Sequence, residues 1–399
     1  MSALASFQPL LPDKRASEPL LERASELIAE SIRLGAQAGE SLAGALRARL
    51  RAMNSYYTNK IEGQHTRPAD IERALRHKFD ADKKLAKKQR IALAHIEAEQ
   101  SLEERWASKN PRQLFAADHV GEIHRLLYSG LAEEDRFTDD GEPILPGAYR
   151  TTSVMAGNHV APSPSEIATL VDGWASAYGK VVGNEALVVA IACSHHRLTW
   201  IHPFIDGNGR SARLHSHLAL HAMHLTQGLW SPMRGLARTS EQYYARLNNA
   251  DLTRRNDLDG RGALSQEELV GFAAYFLDVC LDQVRFMRER LDLAAFKSRL
   301  VALLFHLQEH PWRVGSENST IRAEAVEALH YIAIAGPLER SRFVAMTGLG
   351  ERTGRRVLAS LLDYGVLSAA SPRAPVALAL PMKSLRLLFP SLWPEAETE

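Results

Sequence analysis

The chain has 399 residues, with 48 Lys and Arg set against 47 Asp and Glu, for a formal net charge of +1. Such a balance gives no sign of a charge-driven polyanion or membrane-surface partner, and no apolar run nears the roughly 20 residues of a membrane helix. Two cysteines, Cys193 and Cys280, lie in apolar helix-patterned segments and read as buried thiols, which fits a reducing cytoplasm.

In chain order, the opening stretch MSALASFQPLLPDKRASEP reads as part of the mature protein, not a signal peptide, because Pro and acids arrive early. Apolar residues at helical spacing predict helices over 18–52, 86–107, 112–131, 165–181, 186–200, 209–225 and 266–294. Strand-like composition is confined to 142–162, EPILPGAYRTTSVMAGNHVAP, which predicts a short hairpin. The polar, Pro- and Gly-containing stretch 308–319 marks a boundary near 315. Beyond it, helices over 321–335, 339–346 and 351–363, then a hairpin over 364–380, give the order of a winged helix-turn-helix.

The unusual chemistry is concentrated at His202-Pro203-Phe204-Ile205-Asp206-Gly207-Asn208-Gly209-Arg210-Ser211-Ala212-Arg213. Pro203 ends one helix. Gly207 and Gly209 let backbone N–H groups converge, and the next helix adds its positive N-terminus, which together make an anion nest. Arg210 and Arg213, three apart, share a helix face and reach neighbouring phosphates. Asp206 is placed for Mg²⁺, and His202 is a natural general base. The bland alternative, a Gly-rich turn with two solvated arginines, leaves most of these elements unexplained.

This stretch resembles the Fic motif, HxFx(D/E)GNGRxxR, without departure. The resemblance implies a mainly α fold, a helical core with a hairpin flap at 142–162, and AMP transfer from ATP-Mg²⁺ to a Tyr, Thr or Ser hydroxyl. By the same resemblance His202 is the base, Phe204 packs the loop, and Asp206 holds Mg²⁺. Gly207, Asn208 and Gly209 form the nest, with Asn208 at the α-phosphate, Arg210 at the β-phosphate and Arg213 at the γ-phosphate. Tyr243 and Tyr244 are candidates for the adenine pocket. The core resemblance runs from about 115 to 290. The resulting division is 1–114 as an N-terminal helical region, 115–295 as the catalytic core, 296–315 as a linker and 316–399 as the winged helix.

Thr58-Asn59-Lys60-Ile61-Glu62-Gly63 resembles the (S/T)xxxE(G/N) inhibitory motif of the same family. Physically, a carboxylate on Arg213 forms a bidentate pair and occupies the γ-phosphate position, and Gly63 suits a helix end. The expected partners are a protein substrate or the enzyme itself, with a homodimer left open; Arg352, Arg355 and Arg356 could meet DNA phosphates, but Glu339, Glu351 and Asp363 temper their charge, and protein docking or dimerisation is the favoured use of the module. Two alternatives share these residues: AMP removal at the same site, and a nucleotide-sensing DNA-binding regulator.

Two weaker patterns read as structural. Asp257–Glu268 has EF-hand spacing, but Arg261 sits where an oxygen donor belongs, so it reads as a helix-capping loop. His195 and His196 point to different helix faces and read as structural rather than as metal ligands.

Overall fold

The computed structural model describes residues 3–312 and 319–393. It is mainly helical, in chain order α1 (Ala3–Ser6), α2 (Lys14–Gln37), α3 (Glu40–Ile61), α4 (Pro68–Leu75), α5 (Lys83–Trp106), α6 (Ala117–Ser129), hairpin β1 (Met155–Ala156) and β2 (His159–Val160), α7 (Ile167–Tyr178), α8 (Asn184–Ile201), α9 (Asn208–Ala222), α10 (Pro232–Arg238), α11 (Ser240–Ala250) and α12 (Gln266–Arg290). There follow α13 (Leu293–Glu309), α14 (Val326–Ala335), α15 (Arg340–Met346), α16 (Glu351–Asp363), hairpin β3 (Leu367–Ser368) and β4 (Ala377–Leu378), and α17 (Met382–Leu388). Among the described residues, no helix is long and apolar enough to cross a membrane.

The chain divides into two compact units. The first comprises the chain up to Ile32, Asn54–Thr66 and Asp70–Val284; the second comprises Arg33–Met53, Arg67–Ala69 and the chain from Arg285.

In the first unit α8 and α9 form the centre, and α5, α6 and α7 pack around them. Nearly every side chain of α8 and α9 is buried, the expected signature of helices enclosed on all sides. Aromatic rings fill the space beside them: Phe115, Trp174 and Tyr178 cluster around His215 of α9. The N-terminal segment is stitched into this core by its carbonyls. Fully buried Arg197 donates Nε and Nη2 to the Pro9 carbonyl at 3.0 and 2.9 Å. The Tyr178 hydroxyl donates to Leu10 at 2.6 Å, and the Leu264 N–H donates to Gln8 at 2.8 Å. Cys193 and Cys280 are buried free thiols, as expected.

In the second unit Phe296, Leu300, Leu329, Ile332, Phe343, Leu361 and Val376 are buried. Its C-terminal elements follow the expected order of helix, helix, turn, helix and hairpin, with α17 added. The division into regions needs correction. Residues 296–309, assigned to a linker, belong to helix α13, whose apolar face (Phe296, Leu300, Leu303, Leu304, Leu307) packs on α14 and α17. The linker end near 315 lies outside the described residues. The single helix expected over 18–52 is two helices, broken at Gly39. A Cβ at that glycine would stand 2.8 Å from the Ala333 carbonyl oxygen, closer than real Cβ atoms come.

The EF-hand-like loop is a helix cap. Asp259 Oδ1 accepts from the Ser265 hydroxyl at 3.0 Å and the Glu267 N–H at 2.8 Å, while Ser265 Oγ accepts from the Glu268 N–H at 3.1 Å. These bonds satisfy donors that the first turn of α12 leaves open.

Candidate active site

The His202–Arg213 loop joins α8 to α9 at the centre of the first unit. Pro203 halts α8, and His202 caps it in the left-handed region at φ +50°. Gly207, at φ +79°, opens α9, and a Cβ there would meet the Tyr128 ring at 2.6 Å. Phe204 anchors the loop from below: it is fully buried and stacks on the His124 ring with centroids 3.8 Å apart.

The loop is held shut by groups that sequence reasoning passed over. Arg150, buried just before the β1–β2 hairpin, donates Nε to the His202 carbonyl at 2.8 Å and its N–H to the Pro203 carbonyl at 2.9 Å. Its Nη1 and Nη2 reach the Thr152 and Pro162 carbonyls, so one guanidinium ties loop to hairpin. His124 accepts the Gly147 N–H on Nδ1 and therefore donates from Nε2 to the Asp206 carbonyl at 3.1 Å. Burial pushes that imidazole down to about 4, which keeps it neutral.

Asn208, expected at the α-phosphate, lines the smaller of two cavities and also braces the loop. Its Oδ1 accepts from the Phe204 N–H at 2.9 Å, and its Nδ2 donates to the Phe204 carbonyl at 2.8 Å. The amide satisfies both backbone groups of one buried residue, so it shapes the loop from within.

His202 borders two cavities, of about 620 and 430 Å³, within the range of small-molecule sites. Its Nδ1 faces the Thr199 carbonyl at 3.3 Å. A carbonyl only accepts, so Nδ1 carries the proton and Nε2 the lone pair. Burial is the main cause that pushes the imidazole down to about 4. The ring is therefore a neutral, unprotonated base well below neutral pH.

Asp206 and Arg210 line the larger cavity with His202. Asp206 Oδ2 accepts from the Tyr128 hydroxyl at 2.7 Å and from Arg210 Nη2 at 2.8 Å. Burial opposes the charge on Asp206, but the Arg210 guanidinium and the Tyr128 hydroxyl hold its carboxyl below the usual range. One ionised carboxylate beside a phosphate-binding loop fits the donor set Mg²⁺ takes, which is completed by phosphate oxygens and water.

Arg213 lines the smaller cavity with Gly209, His159, Tyr243 and Tyr244. The guanidinium is 1% exposed. Its Nε donates to the Thr58 hydroxyl at 2.7 Å and its Nη2 to the Thr58 carbonyl at 3.2 Å. Nη2 also forms an ion pair with Glu62 Oε1. The expected bidentate pair is thus replaced by a shared grip, because the Thr58 hydroxyl takes the Nε edge. A Cβ added at Gly209 would collide with that same Glu62 oxygen. The carboxylate therefore sits on the N-terminal turn of α9, where the helix favours an anion. Glu62 borders both cavities, and Gly63 follows at φ +73°, ending α3.

The tyrosines divide. Tyr244 is 44% exposed, lines the smaller cavity, and donates its hydroxyl to the Ile61 carbonyl at 2.7 Å. Tyr243 is buried and bonds His195 Nε2 at 2.8 Å. His195 Nδ1 in turn lies 2.8 Å from the Ser216 hydroxyl, which donates to Ala212. His195 is thereby a link between helices. His196 Nε2 lies 3.0 Å from Asp251 Oδ1, and Asp251 Oδ2 lies 3.2 Å from His159 Nδ1 on the hairpin.

Residues 114–220 match the model of the Fic/DOC family. The chain is 29% identical over 162 residues to the protein adenylyltransferase Fic of Culex quinquefasciatus, covering 40% of this chain and 30% of that one. It is 28% identical over 204 residues to the protein of the same name from Nematostella vectensis, covering 49% and 42%. The matches span less than half the length of these curated relatives. A crystal structure of a Fic family protein from Desulfovibrio desulfuricans G20 shares the fold over 94% of this chain and 99% of its own, with a TM-score of 0.54 at 18% identity. The HPFIDGNGRSAR loop lies inside the matched segment, between the two central helices of the first unit, and it is this segment, residues 114–220, that is similar to the Fic/DOC family.

Proposed function

We propose that this chain transfers AMP from ATP to a hydroxyl group of a protein, and that Glu62 holds the site inactive until it is displaced. The observation that carries the reading is the Glu62 carboxylate on Arg213 and on the N-terminal turn of α9, beside a neutral His202. The name shared by the curated relatives supports the same chemistry.

In this reading the triphosphate lies along the loop, its charge met by Arg210, Arg213 and the start of α9. Asp206 would hold Mg²⁺, which would supply charge neutralisation for the phosphates. The target oxygen attacks the α-phosphorus while its proton passes to His202 Nε2. A new P–O bond forms, the bond to the bridging oxygen breaks, and diphosphate leaves. Thr199 keeps the proton of Nδ1 in place and so keeps the lone pair on Nε2. Glu62 competes with the γ-phosphate for Arg213. A triphosphate bound without that contact shifts along the loop, and a misplacement of about 1 Å costs roughly a hundredfold in rate.

The test is transfer from α-labelled ATP with Mg²⁺ by wild type, Glu62→Gly and Glu62→Gly/His202→Ala. Strong labelling by Glu62→Gly alone supports the base, the clamp and AMP as the transferred group. ATP binding without labelling in all three overturns AMP transfer.

A further inference from the structure

Away from the cleft, α5 and α9 press a second group of ionisable side chains together. Glu99 and Glu103 of α5 and His217 of α9 are 0%, 4% and 1% exposed. One ligating atom from each lies within 4.8 Å of the other two. His217 Nε2 stands 2.9 Å from Glu103 Oε1 and 3.6 Å from Glu99 Oε1. The sequence delivers them by helical spacing: His95, Glu99 and Glu103 are four apart on one face of α5, and His217 and His221 are four apart on α9. Asn54 Nδ2 donates to Glu99 Oε1 at 2.7 Å, and His221 Nδ1 lies 3.8 Å from Glu103 Oε1.

His95 is a second, independent observation. It is 1% exposed, and neither ring nitrogen has a hydrogen-bond partner. Its Nδ1 is aimed at Glu99 Oε2 across 3.6 Å, too far for a hydrogen bond. Buried polar atoms are nearly always paired, so an imidazole empty at both nitrogens points to an unseen ligand.

We propose that Glu99, Glu103 and His217 hold a structural divalent transition-metal ion of the zinc class, with the unpaired His95 beside Glu99 close enough to join them when the ion is bound. Zinc bound tetrahedrally at about 2.0–2.2 Å keeps its ligand atoms about 3.3–3.6 Å apart. The observed 2.9 and 3.6 Å separations bracket that spacing. Imidazole nitrogen beside carboxylate oxygen suits zinc and excludes a Ca²⁺ or Mg²⁺ cage, which takes oxygen. Asn54 would orient the Glu99 carboxylate from behind, as outer partners of metal ligands do. The ion would clip α5 to α9 one turn past Arg213 and so fix the helix that presents both arginines. It is separate from the Mg²⁺ position at Asp206, and its test does not depend on the reaction proposed above.

The test is elemental analysis of the full chain purified without chelators or metal-affinity resin. Stripped protein is then titrated with Zn²⁺ and with Co²⁺ in excess Mg²⁺, reading melting temperature and visible cobalt absorption. About one ion per chain is expected, with a higher melting temperature on reloading and a cobalt spectrum of tetrahedral type. His217→Ala and Glu103→Gln should lose at least tenfold in cobalt affinity. Wild type that takes up neither ion, or folded variants that bind as tightly as wild type, overturns the proposal. Should both variants misfold, the titration of stripped wild type decides it alone.

Discussion

The Tyr244 hydroxyl donates to the carbonyl of Ile61, one residue before Glu62. The end of α3 is therefore held from the wall of the smaller cavity as well as by Arg213. On the proposed reading, a ligand that lies against Tyr244 and draws its hydroxyl away would loosen the segment that bears Glu62 and so link occupancy of the cavity to release of the carboxylate.

Removing that bond with Tyr244→Phe weakens the hold by about 0.5–1.5 kcal/mol. The expected result is a rise of about twofold to tenfold in basal AMP transfer. In a Glu62→Gly background the same change should give no rise, since nothing remains to release. Initial rates of the two single variants and the double variant form the cycle that checks this. A similar gain in both backgrounds would show that Tyr244 acts on substrate binding instead.

Asn208→Ala strands the N–H and carbonyl of Phe204 inside the loop. Each stranded group costs about 1–3 kcal/mol. At about 2–4 °C per kcal/mol for a unit of this size, the melting temperature should fall by several degrees. In the Glu62→Gly background, kcat should fall more than ATP affinity, because the loop loses its shape and keeps its arginines. Calorimetry with steady-state kinetics reads both, and an unchanged melting temperature would show that the bonds to Phe204 are not what Asn208 contributes.

The two histidines beside the cleft titrate in opposite directions. Burial lowers His202 to about 4, so it stays unprotonated as pH falls through 6. For Glu62→Gly, kcat/KM should therefore show no protonation step near the ordinary imidazole value of about 6.5. His159 bonds the Trp200 carbonyl through Nε2 and Asp251 through Nδ1, and both partners only accept. Burial works against its charge, but Asp251 raises the imidazole above its usual value. The stabilisation from this tether is thus full below about 6.5 and is lost as pH rises through the higher folded value. Hydrogen exchange at Met155–Val160 should quicken on that alkaline side. A ring titration by NMR that places His159 at or below about 6.5 would refute the tether.

The chemistry of the loop was legible because its parts lie within twelve positions, and a nest, a carboxylate and spaced arginines explain one another locally. Glu62 was legible only beside that loop, since one Glu before a Gly is an ordinary helix end. Tyr128, His124 and Arg150 were not legible. Tyr128 and Arg210 stand 82 positions apart, and a tyrosine on the inner face of an amphipathic helix reads as core. Arg150 acts through backbone carbonyls, which leave no mark in a sequence. In α13 the Pro and Gly just after it drew attention from the spacing of Leu300, Leu303, Leu304 and Leu307, so a packed helix passed for a connector. Short α10 and α11 went unread because seven and eleven residues carry too little period to stand out.

The N-terminal segment decides where this protein can be cut. Arg197 sits fully buried on α8, and its charge is met by the Pro9 carbonyl through two of its nitrogens. A fragment trimmed to residues 114–220 would bury a guanidinium without those acceptors and would lose Thr58 and Glu62 from Arg213. Its insolubility or indiscriminate labelling would then report on the trimming and not on the enzyme. The recognisable segment is a signature within a larger folding unit, and a fusion tag placed hard against Phe7 would strain the same stitches from the other side.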